Sequence, residues 1–412
     1  MPVNLAPPTN LHPVPGITLG TGFARIKDSS IAAAPDRRDL VVMLLPEGAT
    51  VAGVFTRNAF RAAPVLLAEE RIAAGGIRAL VTNSGNANAA TAEPGLDDAR
   101  RVCAAVAESA GVTEAAVIPF STGVIGVRLP VARMTAALPE VVASATADHW
   151  DKAARAIMTT DTVPKAVSRR IDVAGTTVTI TGMAKGAGMI KPDMATMLSY
   201  LCCDARIEQS SLNTLVRTVA DASFNRISID GDTSTNDAFV VCASGVADHP
   251  PITGPADPGY AELAAGLTDA ARSLAQAVVR DGEGATRFVT VRVEGGATAD
   301  ECLRVAYTVA ESPLIKTAIF AGDPNWGRFC MAIGRAGVAG LDTSRVNLYL
   351  DDVCVARGGL MAEGYAEADG ARVMAQAEFT VRIELGRGDA AETVWTTDLS
   401  YEYVKINAEY RT

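Results

Sequence analysis

The sequence predicts an α+β protein built in layers, with sheets that are mainly antiparallel or mixed. Three observations carry that expectation. Short apolar, β-favouring runs occur in both halves of the 412 residues, several of them as pairs joined by turn-forming residues. Segments with apolar residues at helical spacing stand among them. Strands and helices nevertheless do not alternate strictly, which argues against one all-parallel sheet.

Residues 40–45 and 51–56 are apolar runs joined by Pro46-Glu47-Gly48, and they read as a hairpin. Residues 77–82 form another short strand. After it comes Asn83-Ser84-Gly85-Asn86-Ala87-Asn88, which reads as a loop rich in turn formers. Residues 97–110 carry Val102, Val106 and Ala110 at helical spacing, and Gly111 suits the carboxyl end. Ile171, Val173, Val178 and Ile180 alternate around Ala174-Gly175, a second hairpin. Residues 196–203 read as a buried strand and 212–224 as an amphipathic helix. Residues 248–258 hold four prolines and read as a surface loop. In 260–279, Leu263, Leu267, Ala270, Leu274 and Val278 share one helix face. A strand at 288–293, a helix at 301–309 and strands at 346–350 and 379–385 complete the list. There is no long internal repeat and no low-complexity segment.

Composition bounds the function. Apolar residues make up 49% and charged residues 20%, as in an ordinary globular protein. The net charge of −10 and the lack of a Lys/Arg run argue against an electrostatic grip on nucleic acid. Residues 1–16 lack a basic start followed by an apolar stretch, and no uncharged apolar run is long enough to span a bilayer. A cytoplasmic protein without a membrane contact is expected. The seven cysteines are odd in number and scattered without a CxxC, which suits buried thiols better than disulfides or a zinc site. Only His12, His149 and His249 are present. All three read as structural or exposed, so a nucleophile here needs some base other than histidine.

The most informative stretch runs Lys185-Gly186-Ala187-Gly188-Met189-Ile190-Lys191-Pro192-Asp193-Met194-Ala195-Thr196-Met197-Leu198. Glycines give a turn, a proline stiffens the approach, and a threonine opens an apolar strand. The plain reading is a loop entering a core strand. It is not a phosphate loop, because the GxxxxGK[ST] spacing is absent.

This stretch is similar to the processing-site motif of the ornithine acetyltransferases, also called arginine-biosynthesis bifunctional proteins. Six further blocks resemble the family in order along nearly the whole chain. They are Ser121-Thr122-Gly123-Val124-Ile125-Gly126, Thr159-Thr160-Asp161-Thr162, the segment from Asp230 to Asp237, Asp281-Gly282-Glu283-Gly284-Ala285-Thr286, Gly322-Asp323-Pro324-Asn325-Trp326-Gly327-Arg328, and Ile406-Asn407-Ala408-Glu409-Tyr410-Arg411-Thr412.

The resemblance implies self-cleavage between Ala195 and Thr196, giving an α chain of residues 1–195 and a β chain of residues 196–412. The Thr196 hydroxyl would attack the Ala195 carbonyl, and water would open the resulting ester. The new α-amine, with an ordinary pKa of roughly 7.7–8.0, can activate its own hydroxyl. The resemblance assigns the oxyanion donors to Thr122 and Gly123, and substrate contacts to Thr159, Lys185, Thr196, Glu283, Asn407 and Thr412. Thr160 competes with Thr159 for the contact. Taken alone, Lys185 and Glu283 each read as surface charges. The substrates implied are N-acetylornithine and glutamate, with ornithine leaving. The donor acetyl-CoA stays open, and no cofactor or metal is implied. The fold implied is a layered αββα sandwich whose strands both fragments share, associated as a dimer of cleaved heterodimers.

Two blocks call for separate treatment. Asp230 to Asp237 has oxygen-bearing side chains at alternate positions, but Thr235 and Val241 stand where an EF-hand needs Gly and Glu, which excludes that loop. Asp323 to Arg328 is expected to be a structured turn near the site. The chain also departs from the family. Lys191 stands where the common pattern has His or Glu, and Asp193 where it has Asn. Three alternatives to the transferase remain: an amidase or aminopeptidase passing the same acyl-threonine to water, an uncleaved binding paralogue, and a paralogue acting on another N-acyl amino acid in secondary metabolism.

Overall fold

The structure is a computed structural model that describes residues 2–26, 37–191 and 197–409. Its first elements are β1 (Thr18–Gly22), β2 (Leu40–Leu44), β3 (Thr50–Phe55), α1 (Ala63–Ala74), β4 (Ala79–Asn86), α2 (Ala92–Ala110) and β5 (Val117–Val124). Next come α3 (Val131–Ala143), α4 (Trp150–Ala156), β6 (Lys165–Val173), β7 (Thr176–Lys185), β8 (Leu198–Cys203), α5 (Gln209–Asp221), β9 (Ile227–Ser228), β10 (Ala238–Ala243) and α6 (Tyr260–Arg280). The last third holds β11 (Phe288–Gly296), α7 (Ala299–Ala310), α8 (Pro313–Ala321), α9 (Trp326–Gly334), β12 (Asn347–Leu350), β13 (Val353–Arg357), β14 (Leu360–Met361), α10 (Glu367–Met374), β15 (Glu378–Glu384), β16 (Ala390–Thr397) and α11 (Tyr401–Glu409).

Local chemistry accounts for many boundaries. Gly111 adopts φ 68° after α2, a left-handed cap that a residue with a Cβ takes at a cost. Pro64 and Pro313 open α1 and α8, where a missing backbone N–H is harmless. The Thr298 side chain accepts from the Glu301 N–H and starts α7.

Two sheets stack to make the larger unit. One has the order β1-β2-β4-β5 and the other β3-β10-β8-β7-β6. Val41, Met43, Leu80, Ile118 and Phe120 of the first meet Met183, Leu198, Tyr200, Val240 and Cys242 of the second in one core. On the outer face of the first sheet, Val42, Val81 and Val117 pack on Val102 and Val106 of α2 and on Met134 and Leu138 of α3. On the outer face of the second, Ile180, Leu201 and Val241 pack on Leu212 and Val216 of α5 and on Leu267 and Leu274 of α6. The layers are therefore helix, sheet, sheet, helix. The expected αββα sandwich is the observed one, and its sheets are mixed: β4 and β5 run parallel, as do β8 and β10, while β2–β4, β3–β10 and β7–β8 are antiparallel.

The second sheet takes β3, β6 and β7 from before residue 192 and β8 and β10 from after residue 196. β8 lies inside it, hydrogen-bonded to β7 on one side and β10 on the other.

The last third builds a seven-stranded sheet in the order β14-β13-β12-β15-β11-β16-β9. Val291, Val293, Val381 and Ile383 form its core face against Val305 and Val309 of α7, Phe329 of α9 and Val373 of α10. Its strands alternate: β15 reads half-buried, buried, half-buried along its whole length.

The helices at 97–110, 212–224, 260–279 and 301–309 are present within a few residues, as is the 171–180 hairpin, with Ala174 and Gly175 both at positive φ in its turn. Two expectations fail. Residues 40–45 and 51–56 form strands but not a hairpin, because β2 and β3 lie in different stacked sheets and the Pro46–Gly48 turn carries the chain between them. Both runs are apolar on both faces, which suits the middle layers of a sandwich equally well. Residues 83–86, expected in a loop, extend β4 and pair with Ser121 to Val124. Their polar side chains are satisfied there: Ser121 Oγ donates to Asn83 Oδ1, and Asn86 Nδ2 donates to the Val127 and Arg128 carbonyls.

Among the described residues no helix is long and apolar enough to cross a membrane. The seven cysteines are all free thiols, five of them buried. None of the three histidines lines the cleft described next.

Candidate active site

The parallel pair β4–β5, the strand ends at Lys185, Leu198 and Asp237, and the turn after α6 converge on one cleft of about 730 Å³, open to solvent. It is lined by Thr122, Gly123, Thr159, Thr160, Lys185, Met197, Asn236, Asp237, Glu283 and Asn407, among others. All six family-matched residues that the structure describes are here: Thr122, Gly123, Thr159, Lys185, Glu283 and Asn407. Ala195, Thr196 and Thr412 lie outside the described residues, as does Asp193.

Lys185 ends β7 opposite Leu198 of β8. It is not the surface charge that its sequence context suggests, being only 9% exposed. Burial pulls its ammonium pKa down, opposed mainly by the charge of Asp161. Its Nζ donates to Thr122 Oγ1 at 3.1 Å. With that lone pair engaged, the Thr122 O–H can turn to another acceptor in the cleft. Gly123 follows at φ 134°, and a Cβ there would meet the backbone of Gly85 and Asn86. Only glycine lets β4 and β5 approach this closely beside the Thr122 hydroxyl.

Glu283 is half-buried on the turn between α6 and β11. Its backbone N–H donates to Ala187 O at 2.8 Å, and its Oε2 accepts from Asn407 Nδ2 at 2.8 Å. A Cβ at Gly188 would run into the Glu283 carboxylate, so the glycine-rich loop packs against this acid. Thr159 and Thr160 both reach the cleft, so the choice between them stays open.

Behind the cleft is a buried ion network of residues to which the sequence reading gave no role. Lys165 Nζ donates to Asp161 Oδ1 and Asp281 Oδ2, each at 2.6 Å, and its side chain is fully buried. Asp161 also accepts from the Thr159 N–H at 2.9 Å and the Gly186 N–H at 2.7 Å. Burial tends to raise its pKa. The charges of Lys165 and Lys185 and the Gly186 N–H outweigh burial and hold it far below the usual carboxylate range. Asp281 accepts from Thr162 through both its N–H and its hydroxyl. One lysine thus joins the strand that ends in Lys185, the Thr159–Thr162 wall and the end of α6. Asp161 and Asp281 stood inside quoted blocks, so motif position was a signal. Lys165 carried none.

The segment from Asp230 to Asp237, excluded as an EF-hand, is structural and lines the site. Asp230 accepts from the Met189 and Ile190 N–H groups at 2.6 and 2.8 Å. Asn236 Nδ2 donates to Ala87 O and Ser121 O, stitching the two stacked sheets together at the cleft. Asp323 to Arg328, expected near the site, instead leads into α9 and is not among the lining residues. Its apolar neighbours, such as Phe329, pack into the core of the seven-stranded sheet. Lys191 is held at 2.9 Å from Glu311 and lies over the Tyr307 ring, so the extra cation of this chain is engaged away from the cleft. Among the described residues no cluster of His, Cys, Asp and Glu is arranged to hold a metal.

The chemistry on offer is therefore a donor pair at Thr122–Gly123, a buried cation, and an acid at the mouth. Comparison with known proteins identifies the family. The ArgJ family model matches residues 24–412. The chain is 56% identical over 412 residues to the arginine biosynthesis bifunctional protein ArgJ of Pseudomonas syringae pv. tomato, covering all of both chains. It is 54% identical over 412 residues, again all of both, to the protein of that name from Pseudomonas fluorescens. A solved arginine biosynthesis bifunctional protein from Bacillus halodurans is 36% identical, with half of this chain and 96% of that one aligned at a TM-score of 0.48.

Proposed function

The chain belongs to the ArgJ family, and on that premise we propose that it is an acyltransferase of arginine biosynthesis. It moves an acetyl group from N-acetylornithine to glutamate through an acetyl ester on Thr196. Thr196 becomes available by self-cleavage after Ala195, leaving fragments 1–195 and 196–412. Strands from both sides of that bond share one sheet, so a cut there leaves the pairing of β8 with β7 and β10 in place.

The observation that carries the proposal is convergence. Six residues matched to the family from distant parts of the chain line one cleft, beside Met197, the neighbour of Thr196 in sequence. Thr122 and the backbone of Gly123 suit the oxyanion that forms when the acetyl carbonyl is attacked. Lys185 suits the α-carboxylate that both substrates carry, and Glu283 the ammonium of ornithine. Thr412, outside the described residues, is proposed as a further substrate contact. The fragments are proposed to assemble as a dimer of heterodimers in the cytoplasm.

The test is a mass balance on purified protein. With N-acetylornithine and glutamate, ornithine and acetylglutamate should appear in equal amounts, and free acetate should stay low. Free acetate at a rate that glutamate does not suppress would instead make the protein a hydrolase. Glu283→Gln should raise KM for N-acetylornithine more than it lowers kcat. Replacing the donor with acetyl-CoA decides whether that second donor is used.

A further inference from the structure

Asp237 immediately precedes β10, is 2% exposed and lines the cleft. Its Oδ2 makes no hydrogen bond with any described residue. Buried polar atoms are nearly always paired, so an orphaned carboxyl oxygen in a site wall requires a reason. Its place in the sheet supplies one. The residue after it, Ala238, pairs with Leu198 and donates its N–H to Met197 O at 2.8 Å. Lys185 pairs with Leu198 from the opposite side. The amino end of β8 is therefore flanked by Lys185 on one side and Asp237 on the other, and the bond proposed to be cut lies just before that end.

We propose that Asp237 is a catalytic residue of self-cleavage, relaying the proton between the attacking hydroxyl and the departing nitrogen. This rests on the proposed nucleophile, Thr196. As the Thr196 Oγ–carbon bond forms at the Ala195 carbonyl, Oδ2 takes the hydroxyl proton. As the carbon–nitrogen bond breaks, Oδ2 returns the same proton to the nitrogen, which becomes the new α-amine. The step ends in an ester with Asp237 unchanged, and no outside acid or base is consumed. Water then adds to the ester, freeing the Ala195 carboxylate and the Thr196 hydroxyl. Burial, opposed by Lys185 and by hydrogen bonds from Ser234, raises the proton affinity of Asp237 well above that of an ordinary carboxylate.

Asp237→Asn is the discriminating variant. It keeps the shape, and because Oδ2 has no partner among the described residues, the change breaks no hydrogen bond that atom makes with them. Intact mass under denaturing conditions should show the parent as two fragments. The variant should be cut at least ~100-fold more slowly, the scale of one acid–base group, with an unchanged melting temperature. Cutting at the parental rate would overturn the proposal. Slow cutting with a melting temperature lowered by more than about 5 °C would also overturn it, because a loss of that size reports packing. An uncut parent would overturn the Thr196 nucleophile itself, and this inference with it.

Discussion

The sandwich and the seven-stranded sheet bury lysines in opposite ways. In the sandwich, Lys165 is locked between two carboxylates, Asp161 and Asp281, which also collect backbone N–H groups from both sides of the cleft. In the other unit, Lys316 of α8 is just as buried, but its direct partners are neutral oxygens, Thr396 Oγ1 and Thr397 O. The strands differ in the same sense. β8 and β10 are buried at every residue, whereas β15 alternates toward solvent. Between enclosed layers, the charge of Lys165 is held by pairing it with two carboxylates. A sheet with one open face has no such demand along its length. The difference places the chemistry: the cleft grows where enclosed strands end and their paired charges come to the surface.

That contrast can be broken most severely at Lys165. Lys165→Met would leave two buried carboxylates without their cation, at a cost of roughly 3–5 kcal/mol. Denaturant unfolding should show that loss, and self-cleavage should fall with it because Asp161, the common anchor of Gly186 and Thr159, loses its cation. A variant as stable as the parent would mean that the network is ornamental.

Lys316 gives a smaller, pH-dependent effect. Burial pulls its ammonium from the ordinary 10.5 down to about 8. From there up to the unfolded value of roughly 10.4 the unfolded chain binds the extra proton, so stability rises with pH across that window, by up to roughly 3 kcal/mol. Unfolding measured from pH 7.5 to 10.5 should show the rise, and Lys316→Met should remove it. A flat parental profile would contradict the assignment.

The smallest effect is expected on the open face of the second unit. Thr290 of β11 is half-buried between the core residues Val289 and Val291. Thr290→Ala should shift stability by no more than about 0.5 kcal/mol. A cost of several kcal/mol would show that this face is covered, and the contrast between the two sheets would then fail.

Much of the fold was legible because its signals are local. Helical spacing located α6, and the Ala174-Gly175 turn located the β6–β7 hairpin. The layer order came from the family resemblance. Pairing is non-local, so it was not legible: Pro46-Glu47-Gly48 looks the same whether it closes a hairpin or carries the chain from one sheet to the next. Asn83 to Asn86 read as a loop because their turn preference is intrinsic, while the side-chain partners that make them a strand come from residues 121 and 127–128. In the site, Thr122, Gly123, Lys185, Glu283 and Asn407 were reached through motifs. Lys165 was not, because a lysine opening a strand looks like a surface residue until its two acids are seen. Asp237 was quoted within a motif that was weighed as a calcium loop, and it was given no role of its own.

The most direct test is the intact mass of the purified protein beside Thr196→Ala under denaturing conditions. Two fragments divided at Ala195/Thr196 in the parent and one uncut chain in the variant are the predicted result. A single full-length chain in both would contradict the self-processing nucleophile and every catalytic step assigned to Thr196.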